Sequence, residues 1–210
     1  MYIPPVFKTD TEQALDYAAA RGFGTVVAVD GGRPVASHLP FLLERRDGRV
    51  RLEAHVARAN PLHAVIARAP DVLVTVTGPD AYISPDWYVA SDQVPTWNYV
   101  SVHLSGSARL FPAADNRAIV DRLSAAFEAR LAPKPAWTSD KMTSARRETM
   151  LQAIVGFEID VTGVDGQWKL AQHKTRPDRM EVARMLEWRG DWSSRGVAEL
   201  MIETLKAKRA

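Results

Sequence analysis

The 210-residue sequence contains no cysteine. That single absence removes disulfides, thiolate zinc sites, iron–sulfur clusters and a cysteine nucleophile together. Long apolar runs are missing too: none approaches the roughly 18 residues needed to cross a membrane, so no membrane partner is expected. Charge of one sign is scarce, since 27 Lys and Arg face 25 Asp and Glu for a net of +2. Such a balance gives DNA binding only weak support, because nucleic-acid partners call for a clustered basic face. The basic concentrations that do occur are Lys134, Lys141, Arg146 and Arg147, and a C-terminal set of Arg179, Arg184, Arg189, Arg195 and the run Lys206-Ala-Lys-Arg209. At helical spacing these read as solvated faces. Met1-Tyr-Ile-Pro-Pro5 leads into a polar helix and not into a leader, so a cytoplasmic location is expected. There is no serine-hydrolase elbow and no Walker loop, and Gly22-Phe-Gly24 lacks the third glycine of a dinucleotide fingerprint and follows a helix. Histidines 38, 55, 103 and 173 have no zinc-type spacing and no accompanying carboxylate, so no metal site is assigned.

What remains is an ordinary globular composition, 46% hydrophobic and 25% charged, in a length that suits one domain. The chain is read as a single domain over 1–210 with a helical elaboration from about 175 to 210. A capped helix is predicted over 9–20, with Thr9-Asp10-Thr11-Glu12 as its start and Gly22 as its C-terminal cap. Strands over 23–29 and 33–43 and a third that opens the stretch 50–61, ending in a polar loop before a short helix, are joined by Asp30-Gly31-Gly32 and Asp47-Gly48 turns, which makes an antiparallel meander. Pro40 cannot donate to a ladder, so its strand must lie at an edge, bulge, or turn its backbone towards something other than a neighbouring strand. A strand over 72–77 is interrupted by Gly78-Pro79-Asp80 and resumes at 81–85 after a bulge. A proline-punctuated loop with Trp87 and Tyr88 then leads to a long strand over 97–111. Helices are predicted over 113–131 and 139–152, followed by a strand over 154–162. A turn at Gly163-Val-Asp-Gly166 should send the chain into a further strand over 167–174, before helices at 177–188 and 193–207. That is enough antiparallel strand for a small closed barrel with helices, an α+β fold.

Four polar and aromatic clusters break the apolar strands: Ser37-His38-Leu39-Pro40, His55-Val-Ala-Arg58-Ala-Asn60, Thr96-Trp97-Asn98-Tyr99 with Ser101 and His103, and Trp168-Lys169-Leu-Ala-Gln172-His173-Lys174. Asn60-Pro61 opens a short helix whose first N–H groups, beside Arg58, suit a phosphate. Backbone around Ser37 to Pro40 offers a ring edge its hydrogen bonds, and Trp97 or Trp168 offers a stacking face. Cations, amides and aromatics in this mixture point to a planar, anionic, heteroaromatic ligand. The plain alternative is a barrel whose tryptophans are core and whose lysines are solvated.

Several of these motifs, in this order, resemble the PaiB family. They are Met1-Tyr-Ile-Pro4, Ser37-His38-Leu39-Pro40-Phe41, His55-Val-Ala-Arg-Ala-Asn-Pro61, Gly78-Pro-Asp-Ala-Tyr-Ile-Ser-Pro-Asp-Trp-Tyr88, Val94-Pro-Thr-Trp-Asn-Tyr99, Ile154-Val-Gly-Phe-Glu158 and Trp168-Lys169-Leu170. PaiB proteins are FMN-binding negative transcriptional regulators of bacteria. The resemblance implies an FMN-binding antiparallel split β-barrel related to pyridoxamine 5'-phosphate oxidase, in a homodimer with flavin at the subunit interface. It implies cofactor contacts from Ser37, His38, Leu39, Pro40, His55, Arg58, Asn60, Trp97, Asn98, Ser101, Lys169 and Gln172. No residue stands out as catalytic. Two readings compete with a regulator: a flavin-dependent oxidoreductase acting on a small molecule, and a barrel without flavin that serves as a structural or interaction dimer. The chain departs from its relatives at three places, the first being Ser101, which stands where the oxidases have a flavin-contacting glutamine. Ala59-Asn60-Pro61 replaces the Ser-Arg-Lys phosphate turn of the oxidases, leaving Arg58 as the substitute cation, and Ala171 and His173 replace a serine and an asparagine common in PaiB-like chains.

Overall fold

Six strands follow one another as a closed barrel in the order β1-β2-β3-β6-β5-β4 in the computed structural model, which describes residues 1–207. The strands are β1 (Phe23–Asp30), β2 (Arg33–Arg46), β3 (Arg49–Ala57), β4 (Asp71–Ile83), β5 (Thr96–Leu110) and β6 (Ile154–Lys169). Six helices accompany them: α1 (Thr11–Arg21), α2 (Leu62–Arg68), α3 (Asn116–Ala129), α4 (Ser144–Gln152), α5 (Arg176–Arg189) and α6 (Trp192–Ala207). Lys208 and Arg209, part of the C-terminal basic run, lie outside the described residues. The chain divides into two compact units. A barrel unit comprises Leu15–Val76 and His103–Val164, and a second unit comprises Met1–Ala14, Thr77–Val102 and Asp165–Ala210.

In the barrel unit the expected meander forms. The Gly31-Gly32 and Asp47-Gly48 turns have positive φ at both central residues, the twist that joins two strands most tightly. Strict alternation in β1 buries Val26 and Ala28, and the same period buries Phe41 and Leu43 in β2, Leu52 and Ala54 in β3, and Phe157 and Ile159 in β6. Each of the larger of these side chains, Val, Leu, Ile and Phe, contributes roughly 1.5–3 kcal/mol on full burial, so the barrel interior holds the unit together.

Pro40 stands at a change of partner. β2 pairs with β1 from Arg33 to Pro40 and with β3 from Phe41 to Arg46. Hairpin pairs alternate between exchanging N–H···O bonds and not doing so. Counted from Asp30↔Arg33, residues 38 and 40 turn their N–H and C=O groups away from β1, and Phe41 N donates back to Gly22 O at 2.9 Å. Counted from the Asp47-Gly48 turn, the next rung of the β2–β3 ladder would join residue 40 to His55 and needs a donor at 40. Proline has none, and the ladder stops at Phe41↔Ala54. The parting of β2 from β3 is thus encoded by one residue.

The second unit carries the far ends of β4, β5 and β6 together with α5 and α6. Its core gathers Ile83, Val100, Leu170, Val182, Leu186, Val197 and Met201. Thr175 caps α5 by accepting from Asp178 N at 3.3 Å, and Gly190 ends it at φ 75°. Arg179, 2% exposed, donates to Met201 O at 3.2 Å and to Thr204 Oγ1, which places its charge against one carbonyl and one hydroxyl in the C-terminal half of α6.

Some expectations need correction. The turn expected at residues 163–166 does not exist, nor does a separate strand over 167–174: β6 runs unbroken from Ile154 to Lys169. The two glycines serve close approach instead. A Cβ on Gly163 would lie 2.4 Å from Ser105 Oγ, and one on Gly166 would lie 2.3 Å from Thr9 Cγ2. β4 likewise runs through Gly78-Pro79-Asp80, although its buried positions change parity from 72, 74 and 76 to 81 and 83, the mark of the bulge that was expected. The helices expected over 113–131 and 139–152 are shorter, each entered through a 3-10 turn at Ala113–Asp115 or Ser139–Lys141.

Candidate functional site

Where β2 leaves β3, the turn after β3 reaches back across the gap. Asn60 Nδ2 donates to Ser37 Oγ at 3.0 Å, and Asn60 Oδ1 accepts from Leu62 N at 2.9 Å, as the Asn-Pro start of α2 predicts. The second Asn60 amide proton has no partner among the described residues, and the Ser37 hydroxyl donates only to Asn60 Oδ1, at a long 3.4 Å. A free amide proton beside a weakly held hydroxyl on a half-buried bridge suits an oxyanion. Arg58, expected as the phosphate cation, has Nε on Gln152 O at 2.8 Å and one Nη on Ile154 O at 3.0 Å. Those carbonyls lie where α4 ends and β6 begins, so the guanidinium pins the turn to that junction. His63 adds a ring contact to Arg58 O at 3.0 Å.

Asn116, at the start of α3, secures the same junction from the other side. Its Nδ2 donates to Leu151 O at 3.1 Å and Ile154 O at 3.2 Å, and its Oδ1 accepts from Gly156 N at 3.1 Å. Gly156 makes this possible, since a Cβ there would meet Ile119 Cδ1 at 2.6 Å and Asn116 Oδ1 at 3.1 Å. Ile154 O is therefore shared by Asn116 and Arg58. No sequence spacing announces Asn116, because its partners are 35 to 40 residues away.

Period two separates the remaining residues of the first cluster. Leu39 is buried, while His38 and Pro40 lie on the opposite, outer face of β2. His38 Nδ1 lies 2.8 Å from Thr25 Oγ1, its cross-strand partner. Pro40 and His55 line a cavity of about 280 Å³ whose other wall is α3 with Leu123 and Phe127, closed by Trp137. His55 Nδ1 is buried there with no hydrogen-bond partner among the described residues. Burial pushes the His55 imidazole below its ordinary value of 6.5. A histidine held neutral by the fold binds its proton more readily when unfolded, so stability rises with pH. The contribution is complete above about pH 6.5 and is lost as pH falls below it. Melting temperatures should accordingly fall between about pH 6.5 and pH 5, and His55→Gln should flatten that slope. An unchanged slope would mean that His55 is not the neutral buried group described here.

The other expected contacts belong to the second unit. Trp97 is 53% exposed and meets Tyr82 edge-on, with ring centroids 6.1 Å apart. Trp168 is 5% exposed, a core residue and not a stacking face. Asn98 is 1% exposed, with Nδ2 3.5 Å from Met201 Sδ and Oδ1 lacking a partner among the described residues. Ser101 is half-buried on β5. Lys169 Nζ donates to Thr96 Oγ1 at 2.7 Å and lies over the Tyr99 ring. Gln172 closes a tight turn by accepting from Leu170 N at 2.8 Å and donating to Trp168 O, which holds Ala171 at φ 58°.

The linear scan also passes over one basic concentration. The β2–β3 hairpin brings Arg46, Arg49 and Arg51 around an open cleft together with Glu44 and Asp47. Two carboxylates among three guanidinium groups leave it only a modest excess of positive charge.

Residues 1–163 match the family described as "Putative FMN-binding domain". The chain is 34% identical, over 98% of its length and 99% of the relative's, to the protease synthase and sporulation protein PAI 2 of Bacillus subtilis strain 168. Among solved structures it is similar to the FAD and heme binding protein from Mycobacterium smegmatis (TM-score 0.55, 22% identity, covering 88% of this chain and 80% of that one). It is also similar to the flavocytochrome Anf3 from Azotobacter vinelandii (TM-score 0.52, 19% identity, 81% and 71%). At those identities the likeness to the two structures is one of fold.

Proposed function

The chain belongs to the PaiB family of FMN-binding split-barrel proteins, and on that premise we propose that it holds FMN along the parted edge of β2, as a homodimeric transcriptional regulator. The observation that carries the flavin half is the orphaned Nδ1 of His55 beside the Pro40 break. A buried polar nitrogen without a partner is destabilising by about 1–3 kcal/mol, and the edge of a nitrogen-rich ring relieves it. The residues present therefore fit a flavin. The backbone N–H and C=O of His38 and the C=O of Pro40 would hold the ring edge, and Ser37 Oγ and Asn60 Nδ2 would hold the phosphate. Arg58 orients the turn that carries Asn60. Bound flavin supplies electron transfer, while the chain contributes position and a dry apolar wall. FMN is favoured over a longer dinucleotide because, among the described residues, a single pair of phosphate donors, Ser37 and Asn60, sits at the gap. The regulatory role and the dimer rest on the PaiB resemblance.

Titration with FMN should quench its fluorescence with a dissociation constant of about 1 μM or below, and riboflavin should bind at least about tenfold more weakly for want of the phosphate. Equal affinities would remove the phosphate subsite; no quenching at all would remove the flavin reading. For the regulatory half, a complex with promoter DNA should weaken steeply as salt rises, and sedimentation should give twice the chain mass. A monomer, or a gel shift without any salt-sensitive complex, would leave a flavin protein of another role.

A further inference from the structure

The second unit contains a cavity of about 330 Å³ that none of the preceding roles uses. Phe7, Tyr88 and Val94 give it apolar walls, and Lys169, His173 and Lys174 converge on it. Lys174 Nζ donates to Gln93 Oε1 and lies over the Tyr88 ring, as Lys169 bonds Thr96 and lies over Tyr99. Both ammonium groups are thus seated on neutral oxygens and aromatic faces. Among the described residues neither has a carboxylate within salt-bridge distance. Asp178, the acid whose field reaches Tyr88, already accepts from Ala90 N at 2.9 Å and Thr175 Oγ1 at 2.6 Å. His173 packs edge-on against Phe7 at 5.5 Å, and burial, then Lys174 and Lys169, hold its imidazole low. A neutral imidazole beside two uncompensated cations in an apolar cleft is a recognition surface for one sign of charge.

We infer that this cavity binds a small molecule carrying a carboxylate or phosphate on an apolar or aromatic body, with Lys169 and Lys174 on the oxyanion and Phe7 and Tyr88 against the body. The residues are all from the second unit, so the inference does not depend on the flavin reading. It removes Lys169 from the expected flavin contacts and gives it a partner, Lys174, that was not among them. An anion here sits in a cleft between half-buried side chains, and its affinity falls with salt less steeply than at an exposed pair.

Phenyl phosphate and benzoate, titrated calorimetrically into the FMN-treated full-length protein, separate the two oxyanion sources, with benzyl alcohol as the uncharged control. One or both anions should bind in the sub-millimolar range and benzyl alcohol should not. Lys174→Met and Lys169→Met should each weaken the anion about tenfold or more, and Lys174→Arg should recover most of the loss. Lys174→Met should leave the FMN titration unchanged. Failure of both anions to bind at about 10 mM would overturn the inference, as would equal binding of the alcohol. Competition between phenyl phosphate and FMN, joined with loss of FMN affinity in Lys174→Met, would also overturn it by making the cavity a flavin subsite.

Discussion

Asn116→Ala lowers the unfolding free energy by roughly 3 kcal/mol, a fall of about 6–12 °C in melting temperature for a chain of this size. The side chain is 2% exposed and makes three bonds to backbone: two donated to Leu151 O and Ile154 O, one accepted from Gly156 N. Truncation leaves Leu151 O and Gly156 N without their partner beneath α3 and removes one of the two donors to Ile154 O. Aspartate is no remedy. It keeps an acceptor for Gly156 N but sets a carboxylate against two carbonyl oxygens, so Asn116→Asp should lose at least as much. Because Ile154 O also receives Arg58, the loss spreads to the turn that carries Asn60, and the variant should bind FMN more weakly than its stability alone implies. Calorimetric melting within about 1 °C of the parent would show that the junction is held by packing and not by this residue.

Asn60→Ala should raise the FMN dissociation constant by about 10- to 100-fold and leave riboflavin nearly untouched. The variant loses two things that can be told apart. Removing Oδ1 from Leu62 N takes away a helix cap worth about 1 kcal/mol, which affects stability and has no preference between the two ligands. Removing Nδ2 takes away one phosphate donor and frees Ser37 Oγ from the bond that orients it. Only the second effect discriminates FMN from riboflavin. Asn60→Ser keeps a capping oxygen and so separates the two further, and Ser37→Ala should show a smaller loss in the same direction. If FMN and riboflavin weaken together in Asn60→Ala, the turn supports the fold and does not hold the phosphate.

The parts of this molecule that were legible in its sequence are those written in local chemistry. Gly31-Gly32 and Asp47-Gly48 demand positive φ, and both hairpins form where those dipeptides stand. Pro40 could be read as an interruption from the missing N–H alone, and the register shows which rung it removes. Asn60-Pro61 announced the start of α2 and its cap. What was not legible depends on partners distant along the chain. Gly163 and Gly166 look like a turn in one dimension, and only the approach of Ser105 and Thr9 explains why they lie inside a straight strand. Arg58 carries the charge of a phosphate ligand, yet its Nε and one Nη are engaged by carbonyls nearly a hundred residues away. Asn116 and Trp137 have no motif at all. The twelve expected cofactor contacts divide between two compact units, seven in the barrel unit and five in the second, a division that composition and periodicity do not reveal.

A crystal structure of the protein grown with FMN tests the central claim most directly. Phosphate oxygens should lie within about 3 Å of Ser37 Oγ and Asn60 Nδ2, with a ring edge on the backbone of His38 and Pro40. A flavin whose phosphate instead rests between Lys169 and Lys174, with the gap between β2 and β3 left to water, would contradict it.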